Sequence, residues 1–210
     1  MRFSNQITGI FYMLASTAVF VLNDSFIKLA STGIPTFQLL FIRAYVACVV
    51  GAIIITVLGQ WRALPGIFNF RTMLRSAAEA GAAFCFTIAL FQMPIANIFA
   101  ISQTIPLFLI LGAALFYGDR LGTFQLLLIV LGFIGALIVA QPDFSDLSPA
   151  ILFAFASALC IAARDLIGRG VPSRIPVTVI TVAASALIVS VAFALHLSTE
   201  TWVVMQPRQL

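Results

Sequence analysis

Charged side chains are scarce in this sequence of 210 residues, of which only 9% are Asp, Glu, Lys or Arg. Soluble globular domains average about 25% charged residues, so the composition argues against a soluble domain. The eleven basic and seven acidic residues give a net charge of +4, but no basic run or base-stacking motif accompanies it. We therefore expect no nucleic acid among the partners of this chain.

Histidine and cysteine are also scarce. His196 is the only histidine, and Cys48, Cys85 and Cys160 stand alone in apolar surroundings without a Cys-x-x-Cys pair. Metal centres and Ser–His or His–Glu catalytic sites need such residues in clusters, so we predict no metal, no cofactor and no enzymatic activity. An intramembrane enzyme is kept as the weaker alternative. We interpret the cysteines as small core residues and His196 as an interfacial residue, with proton handling as the alternative.

Apolar runs recur along the whole chain, and 62% of its residues are hydrophobic. A helix of about 20 such residues crosses the hydrocarbon core of a membrane. We therefore predict an all-α membrane protein, a polytopic helical bundle of seven transmembrane helices. The predicted spans are 7–30, 35–58, 72–92, 95–116, 121–140, 149–168 and 175–197.

Basic residues in the intervals between the spans predict the orientation. Arg62, Arg71 and Arg169 lie in intervals that fall on one side of the membrane. The other side carries the uncharged "QMP" and the acidic "QPDFSDLSP". Because cytoplasmic loops collect Lys and Arg, we predict a cytoplasmic N-terminus in a bacterial-type inner membrane, with the seventh helix ending outside. Residues 60–71 then face the cytoplasm and residues 141–149 face outside.

An internal repeat accompanies the predicted spans. A shift of 141 residues aligns the first helix with the sixth and places Asp24 on Asp165. Five crossings leave the chain on the opposite side of the membrane, so the second copy is inverted, as in many secondary transporters. We predict one complete five-helix repeat in residues 1–142 and two helices of an inverted second repeat in residues 148–210.

Polar and charged residues inside the predicted spans are candidates for a substrate cavity or for proton coupling. They are Asn23, Asp24, Lys28, Arg43, Glu79, Asn97, Gln103, Thr104, Arg164 and Asp165. An intramembrane charge costs roughly 2.5–3.5 kcal/mol on insertion scales, so such groups are paired or functional. At about 1.5 Å per residue, Asp24 and Arg43 reach one depth in adjacent helices. They form either a structural ion pair or a charged wall of a substrate cavity.

Glu79 lies deeper in its helix than Arg75 and has two open interpretations. It is either a functional buried acid or the structural partner of Arg75 or Arg164. In the fourth helix, Pro106 predicts a kink about one turn earlier. The amides and hydroxyl beside that kink either face a substrate or join neighbouring helices.

Four stretches make the chain resemble the EamA-type branch of the drug/metabolite transporter superfamily. They are Asp24 with Lys28, "LLFIR" ending at Arg43, "QMPIANIFAISQTIPLFLILGAALFYGDRLG" and "LGFIGALIVAQPD". The resemblance implies ten helices in two inverted five-helix repeats with a central substrate cavity. This chain departs from the family at Gly118-Asp119, where members commonly carry Glu. It ends on "TWVVMQPRQL", which is similar to the lead-in to an eighth helix, so we expect a fragment, a shortened product or a trimmed chain.

The resemblance and the membrane charges together predict a secondary-active transporter of a small organic metabolite. The chain carries no P-loop motif for ATP, so an ion or solute gradient is the expected driving force, with Asp24 or Glu79 as proton carriers. The expected partners are the lipid bilayer, a small-molecule substrate and, as an open alternative, a second copy in a homodimer. A truncated, non-transporting remnant or partner subunit is the alternative function.

Overall fold

The computed structural model of the chain describes residues 2–31, 33–118, 122–140 and 149–203, and within these ranges its secondary structure is helical, without strands. The helices are α1 (Arg2–Ala30), α2 (Thr36–Val57), α3 (Phe70–Gln92), α4 (Ile95–Ser102), α5 (Ile105–Tyr117), α6 (Thr123–Ala140), α7 (Ala150–Gly168) and α8 (Val177–Thr199). A 3₁₀ segment, Gln60–Phe68, joins α2 to α3.

Proline marks the beginning of four of these helices. Pro35, Pro94, Pro149 and Pro176 directly precede α2, α4, α7 and α8. A proline at a helix start costs nothing in hydrogen bonding, because the first N–H groups of a helix have no partner within the helix. Helix α3 is instead preceded by its capping residue Asn69, whose side-chain oxygen accepts a hydrogen bond from the backbone N–H of Arg71 at 3.1 Å.

Six spans among the described residues are long and apolar enough to cross a membrane. One of them, Ile95–Tyr117, contains both α4 and α5. The fifth predicted span coincides with α6, but the apolar helical stretch found there, Leu126–Gly135, is shorter than the other six. Seven transmembrane helices therefore remain a prediction. Residues 141–148, predicted to face outside, and Asp119 lie outside the described residues.

The core of the bundle forms where α3 packs on α7 and α8, and where α2 packs on α8. One face of α7 carries a buried alanine at every fourth position, namely Ala150, Ala154, Ala158 and Ala162. Small residues let helix backbones approach closely in a membrane, where apolar burial between helices gains little. The hydroxyl of Ser157 donates to the backbone oxygen of Ala82 on α3 at 3.1 Å. Close backbone contact thus holds α7 on α3.

Two helices lie at the edge of this core. Residues 7–22 of α1 are all exposed, and within residues 7–30 of this helix only Asp24 and Ile27 are buried. Helix α6 contacts mainly α4. At its two glycines, Gly132 and Gly135, an added Cβ would meet no atom within 4 Å, so they make no close helix contact with the described residues. Both helices leave apolar faces uncovered.

The chain after α8 folds back over the beginning of α2, and we call its residues 200–203 the strap. The carboxylate of Glu200 accepts hydrogen bonds from the backbone N–H groups of Phe37 and Gln38 at 3.1 Å, in the first turn of α2. His196 Nδ1 lies 3.0 Å from the same carboxylate. The side chain of His196 is buried against Glu200 and the edge of Trp202, near the end of α8, and its position at the membrane interface stays a prediction.

Candidate functional site

A cavity of about 420 Å³ lies in the middle of the bundle. All five helices α1, α2, α3, α7 and α8 contribute to its wall. Its lining residues are Phe20, Leu40, Arg43, Ala44, Ala47, Arg75, Glu79, Ala83, Arg164, Thr181, Ala184, Ser185 and Ile188. Small-molecule sites have volumes of roughly 300–1,000 Å³ and mostly apolar walls with a few polar groups, as found here.

An ion network forms one wall of this cavity. Glu79 Oε1 lies 2.9 Å from Arg164 Nη1, and Glu79 Oε2 lies 3.9 Å from Arg75 Nη2. Arg164 Nε also donates to Asp165 Oδ1 at 2.9 Å. Glu79 and Arg75 are one turn apart on α3, which explains their contact. Glu79 is therefore a structural partner of both Arg75 and Arg164, which was one of its two predicted roles. Its carboxylate also lines the cavity.

Arg43 lies on the opposite wall and has fewer polar contacts than the residues of the ion network. In the part of the chain that the structure describes, its guanidinium makes no hydrogen bond and no ion pair within 4.0 Å. It interacts electrostatically with the buried carboxylate of Asp24 over a longer distance. The sequence predicted that the two lie at one depth. The structure brings them within electrostatic range but not into a direct ion pair.

A second cavity, of about 920 Å³, opens between α1 and α2. Arg43 lines both cavities, so it lies where they meet. Asn23 lines the second cavity, and its side-chain amide lies 3.5 Å from Asp24 Oδ1. Phe20 also belongs to both walls. The second cavity thus connects the exposed side of α1 with Arg43.

Lys28 does not join the cavity residues. Its ammonium group donates to the backbone oxygens of Leu90 at 2.5 Å and Met93 at 3.0 Å, at the end of α3. The last carbonyls of a helix have no partner within the helix and carry partial negative charge. Lys28 therefore caps α3 and ties α1 to it.

The polar residues of the fourth span lie apart from the cavity. Gln103 and Thr104 occupy an interruption between α4 and α5, directly before Ile105 and Pro106, which begin α5. They line a small void of about 40 Å³ against α6. Thr104 donates to the backbone oxygen of Ile101, and Asn97 is buried in α4. The structure does not bring these three residues together with Arg43 or the ion network.

Two polar lining residues were missed by sequence reasoning. Thr181 and Ser185 are one turn apart on α8 and both face the cavity. Within the apolar run of α8 they look like ordinary membrane-helix residues, because Ser and Thr can bond their own helix backbone. Their one-turn spacing was the available signal.

With this geometry described, comparison with known proteins decides the family. A model described as "EamA-like transporter family" matches residues 7–141, which is more than half of the chain. The chain belongs to the EamA-like transporter family. This agrees with the four stretches on which the resemblance rested, three of which lie wholly within the match.

Several curated transporters are similar to this EamA-like chain. It is 25% identical over 163 residues to the S-adenosylmethionine uptake transporter of Rickettsia prowazekii, covering 78% of this chain and 55% of that one. Over 102 residues it is 33% identical to the riboflavin transporter of Rhizobium johnstonii, covering 49% and 34%. Over 172 residues it is 24% identical to the pseudopaline exporter CntI of Pseudomonas aeruginosa, covering 80% and 58%. The chain thus spans little more than half of two of these relatives. No solved structure matches it.

Proposed function

We propose that this EamA-like chain is a secondary-active transporter of a small organic metabolite and that the central cavity is its substrate site. The observation that carries the proposal is a cavity of about 420 Å³ lined by Arg43, Glu79 and Arg164 inside membrane helices. Charges are retained in a membrane interior where they serve a pathway or a site. The names of the three relatives, each a transporter or exporter of a small molecule, agree with this assignment.

The wall of the cavity supports the proposed inverted repeats. Four lining residues of α2 match four of α8 under the shift of 141 residues. The pairs are Leu40 with Thr181, Arg43 with Ala184, Ala44 with Ser185 and Ala47 with Ile188. Such matching positions are expected where the axis relating two inverted repeats passes between two equivalent helices. The cavity then lies between the repeat of residues 1–142 and the repeat that begins at residue 148.

The contacts at one end of the bundle support the proposed orientation. Arg62 and Arg174 line one shallow cavity, and Arg71 donates to the backbone oxygen of Gly170. These basic residues therefore lie together, opposite the strap. Under the positive-inside rule this end faces the cytoplasm, and the strap faces outside.

An ion gradient is the proposed driving force, with a proton as the first candidate. Of the two predicted carriers, Asp24 fits better, because its carboxylate makes no ion pair among the described residues. Glu79 is neutralised by two guanidinium groups and is better suited to hold α3 and α7 together.

Transport by the purified chain in liposomes tests this function. Ser185→Trp should fill the cavity and abolish saturable, gradient-dependent uptake of candidate amino acids, nucleosides and cofactors. Leu152→Trp is the matched control, because Leu152 is 72% exposed on the outer face of α7. Uptake that survives Ser185→Trp, or a folded chain without uptake at any protein density, would contradict the proposal.

A second candidate is a partner subunit that works only in a homodimer or with another chain. The exposed face of α1 favours it, because residues 7–22 are all exposed and leave an apolar surface for a partner. We expect uptake only from samples that contain dimers. Saturable uptake by a demonstrably monomeric sample would contradict this part of the proposal.

A further inference from the structure

We propose that the cavity binds an organic monoanion and that Arg43 holds its carboxylate. This inference rests on the proposed function and names the substrate class of the same site. The observations behind it are the hydrogen-bonding state of Arg43, the charges around the cavity and the apolar character of the remaining wall.

Among the described residues, nothing accepts a hydrogen bond from the guanidinium of Arg43. A guanidinium carries five N–H donors in a planar fork. Within the described ranges, Arg164 uses its donors on Glu79 and Asp165, whereas Arg43 makes no hydrogen bond or ion pair. Arg43 is only partly buried and lines both cavities, so these donors are accessible to a ligand in the cavity.

The charges around the cavity favour one negative charge on the ligand. The lining carries three guanidinium groups, Arg43, Arg75 and Arg164, against one carboxylate, Glu79. Two further carboxylates lie just behind the wall, since Asp165 pairs with Arg164 and Asp24 acts on Arg43 from a distance. Arg75 and Arg164 are in direct contact with carboxylates, whereas Arg43 has no carboxylate within 4.0 Å among the described residues. One negative charge on the ligand would therefore pair with Arg43, and the carboxylate of Asp24 behind it would repel a second one.

The ligand group that fits a planar fork is a carboxylate. Arginine binds carboxylates through two parallel N–H···O bonds, which are about twice as strong as bonds between neutral groups. The rest of the wall near Arg43 is apolar, with Phe20, Leu40 and Ile188. Hydroxyl groups on the α8 side come from Thr181 and Ser185. The inferred ligand thus has a carboxylate, an apolar or aromatic body and a hydrogen-bonding group.

Paired probes test the assignment on the full chain in lipid nanodiscs. Binding of 3-phenylpropanoate and of 3-phenylpropanamide is measured by equilibrium dialysis. We expect the carboxylate to bind at least about ten-fold more tightly than the amide, because charge-assisted bonds are the stronger ones. Arg43→Gln should remove this preference while leaving amide binding unchanged. Arg62→Gln should keep the preference, because Arg62 lines a different cavity.

The outcomes of the binding experiment separate the carboxylate assignment from the proposed function. Equal binding of both probes to the wild-type chain, or loss of both with Arg43→Gln in a folded protein, overturns the carboxylate assignment. If both bind equally and Ser185→Trp abolishes both, the proposed function stands without this inference. If neither probe binds a folded chain, the cavity is not a site and both proposals fall.

A second measurement avoids reliance on the Arg43→Gln protein folding. Phenylglyoxal modifies arginine side chains, and mass spectrometry locates the modified residue in the wild-type chain. We expect 3-phenylpropanoate to protect Arg43 and the amide to leave it reactive. Protection by both probes, or by neither, contradicts the assignment.

Discussion

Gln38 and Val203 are joined by two hydrogen bonds although 165 residues separate them. The side-chain nitrogen of Gln38 donates to the backbone oxygen of Val203 at 2.7 Å, and the backbone N–H of Val203 donates back to Gln38 Oε1 at 3.0 Å. Gln38 is almost fully buried, so water cannot replace these bonds. The strap is thereby fixed to the first turn of α2.

Substitution of Gln38 by Leu should lower the free energy of unfolding by about 1–3 kcal/mol, because it leaves the backbone groups of Val203 without partners. Thermal unfolding of the purified chain in detergent measures the change. Gln92→Leu is the matched control, since Gln92 is exposed at the end of α3 and should tolerate the change. An equal effect of the two substitutions would show that the strap does not stabilise the fold.

The ion network should show measurable coupling between Glu79 and Arg164. Glu79→Gln removes the negative charge that lies 2.9 Å from Arg164, at a cost of about 1–3 kcal/mol, between the values for exposed and fully buried pairs. In a double-mutant cycle with Arg164→Gln, we expect a coupling energy above about 0.5 kcal/mol. The cycle with Arg75→Gln should give less, because that contact is 3.9 Å long. Additive effects in the first cycle would rule out the pairing.

Close packing of α2 on α8 makes Gly51 intolerant of a side chain. An added Cβ would lie 2.5 Å from Val182 Cγ2, and valine has little rotamer freedom in a helix. Gly51→Ala should therefore destabilise the chain by about 1–3 kcal/mol. Gly135→Ala should be neutral or should stabilise by up to about 1 kcal/mol through helix propensity, because nothing lies within 4 Å. Comparison of the two unfolding midpoints checks the prediction, and a reversed order contradicts it.

Labelling of single cysteines checks the proposed orientation. In a chain without its three native cysteines, Phe68→Cys and Ser198→Cys place a thiol at exposed positions on opposite ends of the bundle. An impermeant maleimide should label Ser198→Cys in intact cells and Phe68→Cys only after the membrane is opened. The reverse pattern would show that the strap faces the cytoplasm.

The helix boundaries were largely predictable because proline acts locally. The predicted span 35–58 corresponds to the helix Thr36–Val57, and the predicted span 149–168 corresponds to the helix Ala150–Gly168. Each of these helices begins directly after a proline. The 3₁₀ segment Gln60–Phe68 was not predicted, since its polar and apolar residues follow no helical period that sequence reasoning uses. Local rules fixed where helices begin, but not how the intervals between them fold.

The partners of the polar residues were less predictable, because they depend on distant contacts. Lys28 reaches carbonyl groups more than 60 residues away, and Glu200 reaches the first turn of α2. Neither pairing leaves a local pattern in the sequence. Asp24 and Arg43 were predicted to lie at the same depth in the membrane, which follows from counting residues along each helix. This count does not fix the rotation of each helix about its axis. That rotation decides between a direct ion pair and the longer interaction observed.

The strap makes the two ends of the α2–α8 pair differ in their hydrogen bonding. At its end, four partly buried hydrogen bonds join the strap to Phe37 and Gln38 in the first turn of α2. At the other end, one partly buried bond joins Thr178 to Gln60 and one exposed bond joins Arg71 to Gly170. If the proposed repeats move against each other during transport, we expect the strap to keep α2 close to the end of α8, so that these two helices separate more at the basic end than at the strap.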